Sequence, residues 1–174
     1  LKTVRTGFSK KQEMHDALMS FKNSGKKIIV YADYGISNTD YYLISMADEI
    51  YTHSMNSVDI KGFNIEVAYL KQLLDPLSIV AEVVKTSDYK TGPDSLTRES
   101  SRPEDREVRG EILDQAIALL KQSMVEDRNL SAEQVDAILK QGYFSGAAAV
   151  EAGLADGLFT ELEANKLPEK IPSG

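Results

Sequence analysis

Lys90 stands in the polar stretch Ser87-Asp88-Tyr89-Lys90-Thr91-Gly92-Pro93, which predicts a loop. A lysine amine takes up a proton only when neutral, and in water near pH 7 it is almost wholly charged. Burial in apolar surroundings depresses its pKa by several units and turns it into a general base. By residue type alone, a lysine in a polar loop is a solvated surface residue. Upstream, Val30-Tyr31-Ala32-Asp33-Tyr34-Gly35-Ile36-Ser37-Asn38-Thr39-Asp40-Tyr41-Tyr42-Leu43 carries an apolar run into a turn rich in capping residues. Asn38 suits the cap of a helix beginning at Thr39. Its amide cannot form an acyl intermediate by the serine route. Ser87 and Ser95 read as turn residues. The chain has no cysteine, which removes disulfides, thiol nucleophiles and thiolate metal ligands. His15 lies on a helical stretch and His53 at the end of a strand, far apart in sequence, so packing is expected of them rather than metal binding. No metal and no cofactor is expected.

The turn and the loop acquire a specific meaning together. Val30 to Leu43 resembles the nucleophile segment of the signal peptide peptidase family, the membrane serine proteases also called protease IV (peptidase family S49). That family writes small-Ser-Gly-Gly-Tyr-Tyr at this place. Anchoring on Tyr41-Tyr42 puts Asn38 at the serine, and Thr39 and Asp40 at the glycines. Ser37 is one residue off, and at a sharp strand-to-helix turn that offset points its hydroxyl elsewhere. Tyr89-Lys90, with a strand before it and Arg98-Glu99 and a capped long helix after it, falls where the family keeps its catalytic lysine. Ser54 to Phe63 is similar to the family's Gly-Ser-Val-Gly-Ser-Ile-Gly segment, which helps line the substrate groove. Ser57, Val58 and Gly62 match it as candidate groove residues, while Asp59, Ile60 and Lys61 depart. The alternative for this segment is an ordinary turn into a strand and a helix. Ser145 to Asp156 resembles the Ala-x-x-x-Gly-Leu-x-Asp pattern of the crotonase and Clp protease superfamily. Physically it is a capped small-residue helix with Gly153 as a left-handed stop.

The resemblance runs from about Gly7 to Phe159. It implies an α/β fold of the crotonase/Clp-protease type, a parallel sheet with helices packed on both faces. One domain over residues 1–166 is expected, followed by a tail or linker at 167–174. Short members of the family carry serine and lysine on one domain. Long members have two related halves, the first supplying the lysine and the second the serine. A Tyr-Lys loop without a nucleophile serine matches the first half. Lys90 would then be the base for a serine on the C-terminal half, and this chain alone would be inactive. The resemblance further implies homo-oligomers, peptide substrates such as cleaved signal peptides, and a place at the inner membrane facing the periplasm, with the anchor upstream. An inactive relative serving as scaffold or assembly partner is the alternative. An acyl-CoA enzyme of the crotonase type is disfavoured, because no oxyanion-hole or CoA-pocket segment is recognisable.

Composition agrees with one globular domain: 174 residues, 42% hydrophobic and 27% charged. The net charge of −7 argues against nucleic acid, whose phosphates need a basic face. No apolar run approaches the ~20 residues of a membrane span. Leu1 to Val4 reads as the end of a strand whose start is missing.

The elements that must position these residues follow from periodicity and punctuation. Ser9-Lys10-Lys11-Gln12 predicts a capping box opening a helix that Gly25 closes, with Met14, Ala17, Leu18 and Phe21 as its apolar face. Lys27 to Ala32 predicts a buried parallel strand, Tyr41 to Asp48 a short helix and Glu49 to His53 a strand. Residues 63–76 predict a helix capped at Asn64, and Ile79 to Lys85 a strand. Ser101-Arg102-Pro103-Glu104 predicts a second box and a helix to about Asn129. Its buried stripe is Ile112, Leu113, Ala116, Ile117, Leu120 and Met124. Ser131 to Gln134 opens a third helix, ended by Gly142. Alternating strands and helices predict a parallel sheet.

Overall fold

Short β-branched and aromatic runs alternate with helices, and in such a chain consecutive strands pair in parallel because each crossover returns over the sheet. The computed structural model describes residues 4–84, 87 and 89–160. Its helices are α1 (Phe8–Asn23), α2 (Asn38–Ile44), α3 (Lys71–Leu74), α4 (Asp94–Thr97), α5 (Pro103–Arg128), α6 (Ala132–Gln141) and α7 (Gly146–Glu151). Its strands are β1 (Ile29–Ala32), β2 (Ile36–Ser37), β3 (Glu49–Thr52), β4 (Ser57–Asp59), β5 (Tyr143–Ser145) and β6 (Gly157–Leu158). The chain divides into two compact units, one of residues up to Gly62 and from Ala118 onward, the other Phe63–Ile117. α5 gives its residues up to Ile117 to the second unit and the remainder to the first.

The first unit holds both sheets. Strands β1, β3 and β6 form a parallel sheet in that order, with Val30 opposite Ile50 and Tyr51 opposite Gly157. The second sheet, β2-β4-β5, is mixed: β2 runs parallel to β4, and β5 antiparallel. The expected parallel sheet is therefore present, and a smaller mixed sheet accompanies it. Along β3, Ile50 and Thr52 are buried while Glu49 and Tyr51 are half-exposed, the two-residue alternation of a sheet with one core face. On the other face Phe159 packs against Tyr31 and Tyr51 at ring separations of 5.9 and 5.2 Å. Tyr41, Leu43, Met46, Ile60, Leu120 and Met124 form the centre of the core.

The Gly-Leu-x-Asp segment joins these layers. Ser145 caps α7, and Gly153 turns the chain at φ +76°. Leu154 is buried, and its carbonyl accepts from the Tyr41 hydroxyl at 3.2 Å. Asp156 accepts from the Ile50 amide at 2.7 Å and pairs with Arg128 at 2.9 Å, tying β3 to the end of α5. The third capped helix is formed as expected: Ser131 and Gln134 make a reciprocal capping box, and Gly142 ends α6 in the left-handed region.

Several expectations are corrected. α1 begins at Phe8 after Gly7, with no side-chain cap, so Ser9 lies inside the helix. Gly25 does follow its end, at φ +86°. Its inner face is Phe8, Lys11, His15, Leu18 and Lys22, one residue out of phase with the apolar face expected. Met14, Ala17 and Phe21 are exposed instead. Polar side chains own this face because each finds a specific partner there. α2 starts at Asn38 rather than Tyr41, with Ser37 as its cap. Residues 63–70 are not helical; only α3 and a 3₁₀ turn, Asp75–Leu77, form in that stretch. Asn64 bonds the Glu66 side chain instead of capping a helix. Ile79 to Val84 pairs with no strand among the described residues. In α5, Leu120 and Met124 are fully buried as expected, but Ile112 is half-exposed. Lys85 and the 167–174 tail lie outside the described residues.

Candidate active site

The turn from β2 into α2 is built from four consecutive polar residues, and each is engaged. Ser37 has extended backbone and caps α2, its Oγ accepting from the Asp40 amide. The same hydroxyl donates to Asp40 Oδ2 at 2.7 Å. Asp40 is buried, and its other oxygen pairs with Lys11 Nζ at 2.7 Å. Lys11 also donates to Thr39 Oγ1 at 2.6 Å. A carboxylate and an ammonium, each almost without solvent, are stable together only because both are paired and hydrogen-bonded. This network was not legible as such, although Lys11 falls at the spacing of the inner face of α1.

Asn38 opens the first turn of α2, and its amide faces Gly62. Asn38 Oδ1 accepts from the Gly62 amide at 3.3 Å, and Asn38 Nδ2 donates to the Gly62 carbonyl. The side chain thus saturates both backbone groups of Gly62, as a neighbouring strand would. Gly62 stands at φ +83°, a conformation that a side chain would strain. The other groove candidates lie on β4. Val58 is buried between Ile36 and Phe144 in the ladder, and Ser57 is half-buried opposite Ser145. As the central strand of its sheet, β4 has both edges occupied. Asp59 pairs with Lys61 at 2.9 Å at the surface. Asn38, Ser57, Val58 and Gly62 therefore belong to one unit, with the first and last in direct contact.

Lys90 belongs to the second unit. Its side chain is exposed, and its amide donates to the Ser87 carbonyl at 3.2 Å. The segment after it is pinned. Thr91 bonds the carboxylate of Asp105, which is buried. Asp105 also pairs with Arg109 at 2.8 Å and accepts from Ser101 at 3.0 Å. Burial opposes its charge, but Arg109, Thr91 and Ser101 outweigh that and hold its pKa at about 2. Asp94, also buried, meets Arg102 at 2.6 Å. On the other side of Lys90, the Tyr89 hydroxyl reaches Glu107 at 3.5 Å, and that carboxylate pushes the phenol pKa up. An exposed amine on an anchored backbone is the chemistry this loop offers. Ser101 spends its hydroxyl on Asp105, so sequence reading located the helix start but missed the anchor.

Residues 20–170 match the family described as Peptidase family S49. The chain is 32% identical over 158 residues to Protease 4 of Haemophilus influenzae, covering 86% of this chain and 26% of that protein. It is 28% identical to Protease 4 of Salmonella typhi over 138 residues, 79% of this chain and 21% of the relative. The chloroplastic serine protease SPPA of Arabidopsis thaliana is 25% identical over 149 residues, 85% of this chain and 22% of that protein. The chain thus spans about a quarter of the length of these relatives. With the family match extending over most of its residues, the chain belongs to peptidase family S49.

Proposed function

We propose that this chain is the lysine-bearing half of a membrane-associated Ser–Lys protease of the signal peptide peptidase type. Lys90 is its general base, and the serine it activates stands on a second, C-terminal half. In that reading neutral Lys90 removes the proton from the serine hydroxyl as the oxygen attacks the scissile carbonyl. It then returns the proton to the departing amine. The fold would be of the crotonase/Clp-protease type, the enzyme a homo-oligomer at the inner membrane facing the periplasm, and the substrates membrane-derived peptides such as cleaved signal peptides. No helix among the described residues is long and apolar enough to cross a membrane.

The observation that carries this reading is an exposed Lys90 on a backbone fixed by Thr91–Asp105 and Asp94–Arg102. A base lysine needs an apolar enclosure, whereas the Lys90 side chain is exposed among the described residues. A complementary half closing over the loop would provide it. Asn38 supports the same division of labour, since its amide offers no nucleophile and is committed to Gly62.

The test is co-expression of this chain with the serine-bearing half and assay on a fluorogenic peptide. Lys90→Ala should reduce turnover by about 10²- to 10⁴-fold, towards the upper end for the sole activator of a serine. Lys90→Arg should fail equally, because arginine stays protonated. Both variants should unfold at the wild-type urea midpoint, since the side chain is exposed. Activity retained in Lys90→Ala would refute the base assignment and leave the second reading, a catalytically inactive scaffold, which the engaged Asn38 also fits.

A further inference from the structure

α1 is fastened to the first unit at three points along its inner face. Near its start, Lys11 pairs with Asp40. Near its end, Lys22 donates to the Met46 carbonyl at 2.6 Å and pairs with Asp48 at 3.3 Å. The middle fastening is made by histidine, whose side chain ordinarily changes charge near pH 6.5.

The His15 ring stacks on Tyr42 of α2 with 4.8 Å between centroids and 24° between planes. Its Nε2 lies 3.6 Å from Asp127 Oδ2 near the end of α5, and its Nδ1 lies 3.6 Å from Asp16 Oδ1. Both nitrogens are buried and make no hydrogen bond at these separations. The same Oδ2 of Asp127 accepts from the Ser45 hydroxyl at 2.6 Å. A cavity of about 170 Å³ adjoins the ring, bordered by Tyr42, Gln122, Ser123 and Glu126 among others. The geometry leaves slack, because a protonated imidazole bonds carboxylates at about 2.8 Å.

The groups around the ring favour the proton. From α1 comes Asp16, with Lys22 acting at longer range on Asp127. From α2 comes Tyr42, whose phenol is pushed further from ionisation by burial and by Asp16 and Asp127. From α5 come Asp127 and Glu126. Asp127 beside the ring raises the His15 pKa above its ordinary value; burial opposes this, and Asp16 adds to it. Burial also works against the charge on Asp127, but His15 and Ser45 outweigh it and hold that carboxyl below its usual range.

We propose that His15 is a pH-operated latch: protonated, it clamps the middle of α1 to Asp127 of α5, and neutral, it releases that clamp. The folded chain holds this proton more tightly than the unfolded chain. The stabilisation is therefore complete below about pH 6.5 and disappears as pH rises through the folded His15 value. At the acid end Asp127 sets the limit: its contribution is present above about pH 4 and is lost as pH falls through its depressed value. The latch is thus closed in mildly acidic surroundings and open in alkaline ones. Because α1 also carries Lys11, opening loosens the helix whose lysine pairs with Asp40 in the first turn of α2.

NMR titration of the chain from pH 5 to 9 tests this directly, because it has only two histidines and His53→Gln identifies the His15 signal. The His15 pKa should exceed 6.5 and should fall in Asp127→Asn. Hydrogen exchange, corrected for the intrinsic pH dependence, supplies the second readout. Protection of α1 amides should drop relative to α6 as pH rises, by up to about tenfold for each unit by which the His15 pKa exceeds its ordinary value. His15→Gln should abolish that pH dependence whatever it does to absolute stability. A His15 pKa at or below 6.5, no response to Asp127→Asn, or parallel exchange profiles in wild type and His15→Gln would each overturn the latch.

Discussion

Removing one member of the Lys11–Asp40 pair is the sharpest perturbation of the candidate site. Both side chains are only 4% exposed, and they meet at 2.7 Å. Lys11→Met keeps the length of the stem and removes the charge. Asp40 is then left buried with the hydroxyl of Ser37 as its remaining hydrogen-bond donor among the described residues. Breaking a buried pair from one side costs about 3–5 kcal/mol, because an uncompensated charge remains. A domain is stable by about 5–15 kcal/mol in all, so this is a large share. For a chain of this size it corresponds to a fall in Tm of roughly 6–20 °C. Asp40→Asn should cost a similar amount, since it strands Lys11 instead. The double variant Lys11→Met/Asp40→Asn removes both charges while leaving an acceptor for Ser37. It should therefore cost clearly less than the sum of the two singles. Urea unfolding of the four proteins closes the cycle, and unchanged m-values would show that the same unfolding is being compared. Single-variant losses below about 1 kcal/mol, or strictly additive losses, would refute the claim that this pair is desolvated and mutually dependent.

Three further outcomes are expected. A Cβ on Gly146 would stand 2.0 Å from the His53 carbonyl oxygen, which is backbone, so Gly146→Ala should cost more than about 2 kcal/mol in urea unfolding or abolish soluble expression; a near-neutral result would mean that β5 and α7 sit otherwise. Asp105, held at about 2, contributes stability that is complete above the ordinary carboxylate range and is lost as pH falls through 2. In acid titrations followed by circular dichroism, Asp105→Asn should therefore lie below wild type near neutrality and converge with it at low pH; curves that stay parallel would remove Asp105 as the cause. A fluorophosphonate probe should label no serine of the isolated chain, Ser37 included, because that hydroxyl is committed to Asp40; robust labelling at Ser37 would contradict this.

What could be read from the sequence was local chemistry with a strong geometric rule behind it. The Ser131–Gln134 box, Gly142 and the Gly153 stop are set by hydrogen bonds within a few residues, and each was legible. The strands Ile29–Ala32 and Glu49–Thr52 were legible because β-branched and aromatic residues crowd between breakers. The inner face of α1 departs from the apolar expectation because apolarity alone does not decide burial. Lys11, His15 and Lys22 face inward through partners at Asp40, Asp127 and Asp48, which are distant in sequence. Residues 63–70 failed for the opposite reason. Their composition suits a helix, but Asn64 spends its side chain on Glu66 and the Leu70 amide bonds the Ser95 carbonyl, so tertiary context overrides propensity. At the candidate site, Asn38 and Lys90 were found by resemblance of motif. The Lys11–Thr39–Asp40 and Thr91–Asp105 anchors were not, because no spacing rule joins residues that meet only in the fold.

The start of α2 shows why this turn is a poor place for acyl chemistry in the present chain. A nucleophile at a helix start profits from free amide N–H groups and a positive local field, both of which stabilise a developing oxyanion. Here Ser37 caps the helix, Asn38 takes both backbone groups of Gly62, and Thr39 accepts from Lys11. Asp40 adds a carboxylate within the first turn, where an oxyanion would meet like charge. Thr39 and Asp40 carry side chains that fill this turn, and Asp40 builds a buried ion pair with Lys11. Substituting Asn38 by serine would therefore restore the nucleophile atom without restoring its surroundings. The Thr39–Asp40 network makes this turn a packed joint between α1 and α2. Under the proposal made above, the catalytic contribution of this chain comes from elsewhere, from the exposed Lys90 on its anchored loop.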